Sequence, residues 1–540
     1  MSQDRNALCC LILREHFGEL VSQIAKVLLK KGPCILSYIL AESGLELKQV
    51  KKLLSLLIQH NIVTFHTNKR GAIEYTIHCD IIQWRIRFPR YIYCAKTLYG
   101  DAAELLVEDL LNKGQCLMSE TVITITDKLN EALDASGHPR IKAGLVKEKF
   151  ENLAQTHFIQ RCPNCLEHDD TDVVAAAAEQ AGDEEELYII PKMDIDGEVS
   201  RKRKRSTEGE GTPAKKSRTE SQEKAETPKD DGIYWRVNFE RFHQHLRDQV
   251  LVASAASKID QKAGEVLRTF LRLSETKFSS GATTSCAISV NEVFRALPKE
   301  LSLTRHVLEM YMTMLCDDMN GLFSKVDEMS GGLYVVNFYK GLQELAKAHI
   351  ESVVQERFGS KCLRIFRVLL VKKHSKQKQI EDYAMISSKE AKELLYNMFS
   401  ENFITLTEVS KTPDHAPSRT FYLFNVDVPQ VARIVEQRCF KAVKNAMVRR
   451  ETEVAEHKRV LDKKERVDAI VVTLTDPEQR EEIEQTISPP EKEQIQKVKH
   501  TVQMLDQCET QLDDSLFVLQ SYLQASTQHN LENVAVKKKR

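Results

Sequence analysis

Nowhere in these 540 residues does an apolar run reach the roughly 20 residues that a membrane-spanning helix needs. The N-terminus lacks the apolar core and cleavage pattern of a secretory signal. A surplus of charge of one sign is missing too: 77 Lys and Arg face 78 Asp and Glu, a net charge of −1. This excludes a globally basic chain that coats nucleic acid, so any contact with phosphates must come from local patches. There is no phosphate-binding Gly-Lys-Ser/Thr loop, no HEXXH pair, no nucleophile elbow and no dinucleotide fingerprint. The enzyme classes marked by those motifs drop out, and no catalytic residue or cofactor is nominated. The 13 cysteines are odd in number and scattered, with no disulfide framework, which fits reduced thiols in a modular intracellular chain.

What the chain does have is a repeated junction. Leu57, Leu153 and Met398 are each followed four residues on by Asn61, His157 and Asn402, and then by the apolar pairs Ile62-Val63, Phe158-Ile159 and Phe403-Ile404. Asn, and less readily His, accepts the left-handed conformation that ends a helix. The apolar pair then starts a strand on the same core. A winged helix passes from its recognition helix to its wing hairpin in this way, and a repeated unit points to an array of modules.

The predicted fold class is mainly α with small β wings: four extended winged-helix modules and a C-terminal antiparallel coiled-coil hairpin. The first module, 1–98, has apolar spacing for a helix over 8–31, a Gly32-Pro33 break, helices near 35–42 and 46–60, and strands 62–67 and 72–78. The second, 99–192, has helices at 101–113, 118–134 and 142–156 and a strand at 158–161. Its return strand is expected at Leu187–Pro191, which makes the acidic stretch 166–186 an insertion in the wing. Residues 193–232 carry almost no apolar side chains and read as a disordered basic linker. The third module, 233–340, has its hairpin around Gly331-Gly332. The fourth, 341–428, has helices near 345–357, 361–371, 377–384 and 387–401, with a wing of 403–409 and 420–426. Residues 429–540 form the stalk and a basic tail. Ile495, Val498, Val502, Leu505, Leu512, Leu516, Leu519 and Leu523 keep heptad spacing, interrupted at Glu509. Ser488-Pro489-Pro490-Glu491 is a helix-start signal, and 430–472 is the expected antiparallel partner.

Basic residues mark the candidate nucleic-acid contacts. Lys48, Lys51 and Lys52 lie on the first recognition helix, with Lys69 and Arg70 at its wing tip. In the fourth module Lys372, Lys373, Lys376 and Lys378 precede the recognition helix, and Lys411, His415 and Arg419 lie in the wing. Such residues can hold phosphates without reading sequence, although a solvated surface or a protein contact uses the same side chains. In the linker, Arg201, Lys202, Arg203, Lys204 and Arg205 precede Lys215, Lys216 and Arg218 at the spacing of a bipartite nuclear-localisation signal. Metal ligation is set aside. Cys162 and Cys165 form a lone pair near His157 and His168, whereas structural zinc needs two well-spaced pairs. Asp194, Asp196 and Glu198 sit in the linker without a rigid scaffold. His243 and His245 do not share a helix face.

Longer stretches are more specific. Lys69–Gly71 with Phe88–Tyr93, Thr156–Cys162, Asp230–Trp235 with Arg241–His245, Glu351–Gly359, and Lys411–Leu423 resemble the third-largest subunit family of eukaryotic RNA polymerase III, over nearly the whole chain. The resemblance implies four winged-helix modules around a coiled-coil stalk and a non-catalytic role, with the active site in the largest subunit. It implies a heterotrimer with two other polymerase III-specific subunits, related to general factor IIE and seated on the clamp of the core enzyme. It also implies a nuclear location, recruitment to promoter-bound factor IIIB, and help in opening promoter DNA. Two other classes stay open: a free-standing winged-helix factor dimerised through the stalk, and a winged-helix scaffold of the proteasome-lid or cullin kind.

Overall fold

The computed structural model describes residues 3–68, 71–137, 139–162, 186–191, 230, 232–275, 282–298, 301, 303–318, 321–327, 332–411, 413, 419–473, 479, 483 and 486–539. The chain folds as two compact units, residues 17–246 and residues 1–16 with 247–540.

The unit 17–246 contains two winged helices. Helices Glu19–Lys31, Leu36–Ser43 and Leu47–Gln59 surround β1 (Cys34–Ile35), β2 (Val63–Thr67) and β3 (Ile73–Ile77), ordered β1-β3-β2. Helices Asp101–Lys113, Met118–Ser136 and Ala143–Gln155 do the same for β4 (Cys116–Leu117), β5 (Ile159–Arg161) and β6 (Tyr234–Val237), ordered β4-β6-β5. All pairings are antiparallel.

Two expectations are corrected here. The predicted helix 8–31 is broken at Gly18, whose φ of 88° and ψ of 174° lie in a region essentially reserved for glycine. The return strand of the second wing is not 187–191, where residues Glu186–Tyr188 form a 3-10 turn. It is Tyr234–Val237, which was expected to open the third module. Trp235 is the reason: it is fully buried, edge-on to Phe150 at 5.3 Å. Burying such a ring contributes on the order of 2–3 kcal/mol, which draws the strand back to this sheet. Asp230 joins the same module, accepting a hydrogen bond from the Ser119 N–H at 2.7 Å near the start of helix Met118–Ser136.

The junction residues take the predicted conformation. Asn61, His157 and Asn402 have φ of 56°, 66° and 61°. In each case the next N–H donates back to the carbonyl five residues earlier, at 2.9 Å: Ile62 to Leu57, Phe158 to Leu153, Phe403 to Met398. This is the six-to-one bond of a Schellman helix end. The third module uses Gly321, φ 81°, at the same place.

The second unit holds two further modules and the stalk. Helices Gln261–Ser274, Val290–Ala296 and Arg305–Asp318 pack on β7 (Ile288–Ser289), β8 (Phe323–Asp327) and β9 (Leu333–Val336). Helices Ser360–Lys372, Gln377–Ala384 and Ser388–Ser400 accompany β10 (Thr405–Ser410) and β11 (Thr420–Asn425), with Ser375 bridging to Phe424 as a one-residue third strand. Two further helices, Phe239–Lys258 and Phe338–Phe358, follow directly on the wings of the second and third modules.

The stalk pairs helices Val428–Glu456 and Lys458–Thr473 with the antiparallel helix Pro489–Lys539. The expected single helix 430–472 is interrupted at His457. Arg450 explains the polar break in the heptad seam: it bonds Glu509 and Asp506 at 2.8 Å each, and Glu15 at 2.9 Å. Burial raises the Glu509 pKa, with Arg450 opposing it. Residues of the N-terminal helix, Gln3–Phe17, thus join the stalk, as Lys444 on Asp4, Arg5 over Phe440 and Arg14 on Glu451 also show. Among the described residues no helix is long and apolar enough to cross a membrane.

Candidate nucleic-acid interface

In the first module, Val50, Leu54 and Leu57 bury one side of helix Leu47–Gln59. The helical period then places Lys48, Lys51 and Lys52 outward, and all three are exposed. Lys69 and Arg70, predicted at the tip of this wing, lie outside the described residues. The other recognition helices differ. On Ala143–Gln155, Lys147 is held by Glu151 at 3.7 Å. On Arg305–Asp318, Arg305 bonds Glu309, and the outer face carries the exposed Met310 and Met314.

The fourth module concentrates charge at its wing. The Ser375 N–H donates to the Phe424 carbonyl at 3.0 Å, and the Phe424 N–H donates back at 2.9 Å. This clips the segment after helix Ser360–Lys372 onto β11. The clip carries the Lys376 ammonium to 4.1 Å from the Phe421 ring centroid. From the other strand, Lys411 reaches the same ring at 4.7 Å, and its N–H donates to the Arg419 carbonyl at 3.0 Å. The register pairs Val409 with Phe421, so the ring stands on one face of the wing, 38% exposed. The structure therefore gathers Lys376 and Lys411 at one ring and joins the Arg419 backbone to Lys411. Lys372 turns away to the Tyr383 ring at 5.0 Å, while Lys373 and Lys378 are exposed on the segment and helix that follow. His415 lies outside the described residues, as do the linker clusters Arg201–Arg205 and Lys215–Arg218.

Sequence reasoning missed the aromatic component. The alternation of Thr420–Asn425 places Phe421 opposite Val409, but only the Ser375 bridge shows which lysine meets it. The outward Lys389, Lys392 and Tyr396 of helix Ser388–Ser400 were missed as well, although Lys392 and Tyr396 are four residues apart on an exposed face.

The histidines set aside for metal have structural roles. His157 stacks on Tyr188, 3.8 Å between centroids and 14° between planes, and burial lowers its pKa. His243 shares a 2.7 Å hydrogen bond with the Tyr91 hydroxyl and meets Trp84 edge-on, and desolvation there holds its pKa well below the usual value. Cys165, His168, Asp194, Asp196 and Glu198 lie outside the described residues.

Models of known families match four segments. Residues 7–68 match the helix-turn-helix domain of RNA polymerase III subunit RPC82, and 148–345 match the RPC82 subunit model. Residues 350–426 match the C-terminal winged-helix domain of POLR3C, and 459–518 the helical hairpin domain of DNA-directed RNA polymerase III subunit RPC3. Whole-chain relatives carry the same assignment. The chain is 44% identical over 532 residues to DNA-directed RNA polymerase III subunit RPC3 of Bos taurus, spanning 97% of this chain and 99% of the relative. It is 43% identical to the Homo sapiens subunit with the same coverage. The chain belongs to the RPC3 family of RNA polymerase III subunits. The Danio rerio member is 42% identical over 542 residues. The family's helical hairpin covers helix Lys458–Thr473 and the first part of helix Pro489–Lys539, and its C-terminal winged helix covers the Phe421 wing.

Proposed function

We propose that the chain is a non-catalytic, nuclear subunit that acts in transcription initiation by RNA polymerase III. In this reading it joins a heterotrimer with two other polymerase III-specific subunits on the clamp of the core enzyme. It helps bring polymerase to promoter-bound factor IIIB and assists promoter opening. The observation that carries its part in DNA handling is the approach of Lys376 and Lys411 to the exposed Phe421 ring, with Arg419 next to Lys411 across the wing through its backbone carbonyl. Two ammonium groups beside one exposed ring give this face of the wing the positive charge that a phosphate needs. The contact is positional, because backbone phosphates look alike in every sequence. Lys48, Lys51 and Lys52 on the first recognition helix, with Lys69 and Arg70 beyond it, offer a second, weaker patch of the same kind.

The test is the double change Lys411→Ala with Arg419→Ala in assembled polymerase. We expect assembly to survive, open-complex formation to fall, and the logarithmic salt slope of DNA binding to shrink by roughly one unit per lost contact. Failure to assemble with the core, with DNA binding by the free subcomplex intact, would identify the wing as a protein-docking loop and overturn the reading.

A further inference from the structure

A small cavity lies where the first two modules meet. The first recognition helix reaches it through His60 and Asn61, and the end of helix Asp101–Lys113 brings Gly114 to it. Two guanidinium groups line it. Arg85 comes from the 3-10 turn Arg85–Arg87, which follows helix Cys79–Trp84, and Arg236 comes from β6. Phe88 and Phe239 supply apolar wall, and among the described residues no Asp or Glu lines the cavity.

Arg85 is only 7% exposed. Its guanidinium donates to His60 Nδ1 at 3.1 Å and lies 4.2 Å and 5.1 Å from the ring centroids of Phe17 and Phe88. Burial lowers its pKa, and no carboxylate opposes that shift. Arg236 donates to Asn61 Oδ1 at a long 3.4 Å, and to the Gln160 amide oxygen, set facing it, at 3.0 Å and 2.9 Å. These partners are rings and neutral amides, which offer partial negative charge and no full one. The acids of the adjoining helices are placed elsewhere: Asp109 is held by Lys113 at 2.7 Å, and Asp80 and Glu240 are exposed. A buried cation with no counter-charge is costly, and two beside one cavity more so.

The size of the cavity, about 20 Å³, limits what fits. It is room for one particle about as large as a water molecule. A phosphate group, free or in nucleic acid, is too large, and a halide is not. We propose that this cavity is a binding site for one small monovalent anion, a chloride ion, held by Arg85 and Arg236 against Phe88 and Phe239. The anion is the counter-ion of both guanidinium groups, which a neutral water cannot be. It joins the end of the first recognition helix to the return strand of the second wing. The pairing of these two modules then depends on which anion is present, and not on ionic strength alone. The inference is independent of the wing reading, since Lys376, Lys411 and Phe421 take no part.

The experiment compares the melting temperature of the full chain in sodium chloride and in sodium gluconate at equal ionic strength, since gluconate is too large for the cavity. We expect chloride to raise Tm by about 2 °C or more, with a saturable dependence on its concentration. Bromide should substitute for chloride, and crystals grown in bromide should show its anomalous signal beside Arg85 and Arg236. Arg85→Met keeps an apolar stem and removes the charge, and it should abolish the difference between the two salts. Should Arg85→Met fail to fold, Arg236→Gln serves instead: it retains an amide for Asn61 and should lose at least half of the difference. Equal melting in both salts, a chloride effect that persists undiminished in the folded variant, or a cavity that holds water and no bromide would each overturn the proposal.

Discussion

Gly114 has no room for a methyl group. A Cβ there would stand 2.6 Å from the Gln59 carbonyl oxygen and 2.9 Å from the His60 ring, and its φ of +81° disfavours any side chain. This close approach lets the recognition helix of the first module end against the first helix of the second. Gln59 Nε2 donates to the Lys113 carbonyl at 2.8 Å, and Arg85 donates to His60 Nδ1 at 3.1 Å. Arg85 lies over the rings of Phe17 and Phe88, and burial lowers its pKa to about 10. Overpacking and backbone strain then act together. We expect Gly114→Ala to cost about 3 kcal/mol, measured by urea unfolding of the full chain. A loss below about 1 kcal/mol would mean that the two modules yield easily at this point.

At the scale of elements, helix starts and stops do much of the specifying. Helix Pro489–Lys539 begins with one arm of a capping box: Glu491 accepts from the Ser488 N–H and from the Ser488 hydroxyl, both at 2.9 Å. Lys463 of the opposing helix bonds the same carboxylate at 2.7 Å. Lys463 foremost, then Ser488, lowers the Glu491 pKa from its ordinary 4.5 to about 2. A carboxyl group with a depressed folded pKa stabilises the fold fully above its unfolded value. That contribution fades as pH falls from about 4.5 towards 2. The stability difference between the parent and Glu491→Gln should therefore be flat above pH ~5 and shrink towards pH 2. A difference that grows on acidification would contradict the assignment.

At the scale of the whole molecule, the basic clusters Arg201–Arg205 and Lys215–Arg218 fall between Arg161 and Tyr234, the facing ends of one wing. Replacing both clusters with Ala should leave helical content and melting cooperativity unchanged, because the segment has almost no apolar residues to bury. Nuclear import of the isolated chain should fall, and lost cooperativity would show that the segment takes part in the fold. The isolated chain should also show no protein-specific turnover of nucleoside triphosphates, since no nucleophile, phosphate cradle or metal motif stands in its sequence. Measurable hydrolysis that co-purifies with the chain and vanishes on its removal would refute this.

Much of what is decided within a few turns of chain was legible in the sequence, although the helix breaks at Gly18 and His457 were not. Helical period, the left-handed Asn61, His157 and Asn402, the helix start at Ser488 and the heptad seam each depend on neighbours close in sequence. Hydrogen bonding and side-chain spacing at that range follow from residue type. What the sequence left open was pairing between distant segments, because backbone hydrogen bonds carry no residue identity. The return of Tyr234–Val237 to β5, the joining of the N-terminal helix to the stalk through Arg450, and the choice of Lys376 over Lys372 at Phe421 are all of this kind. Each was decided by burial or by charge pairing across the folded chain, where only tertiary structure says which surfaces meet.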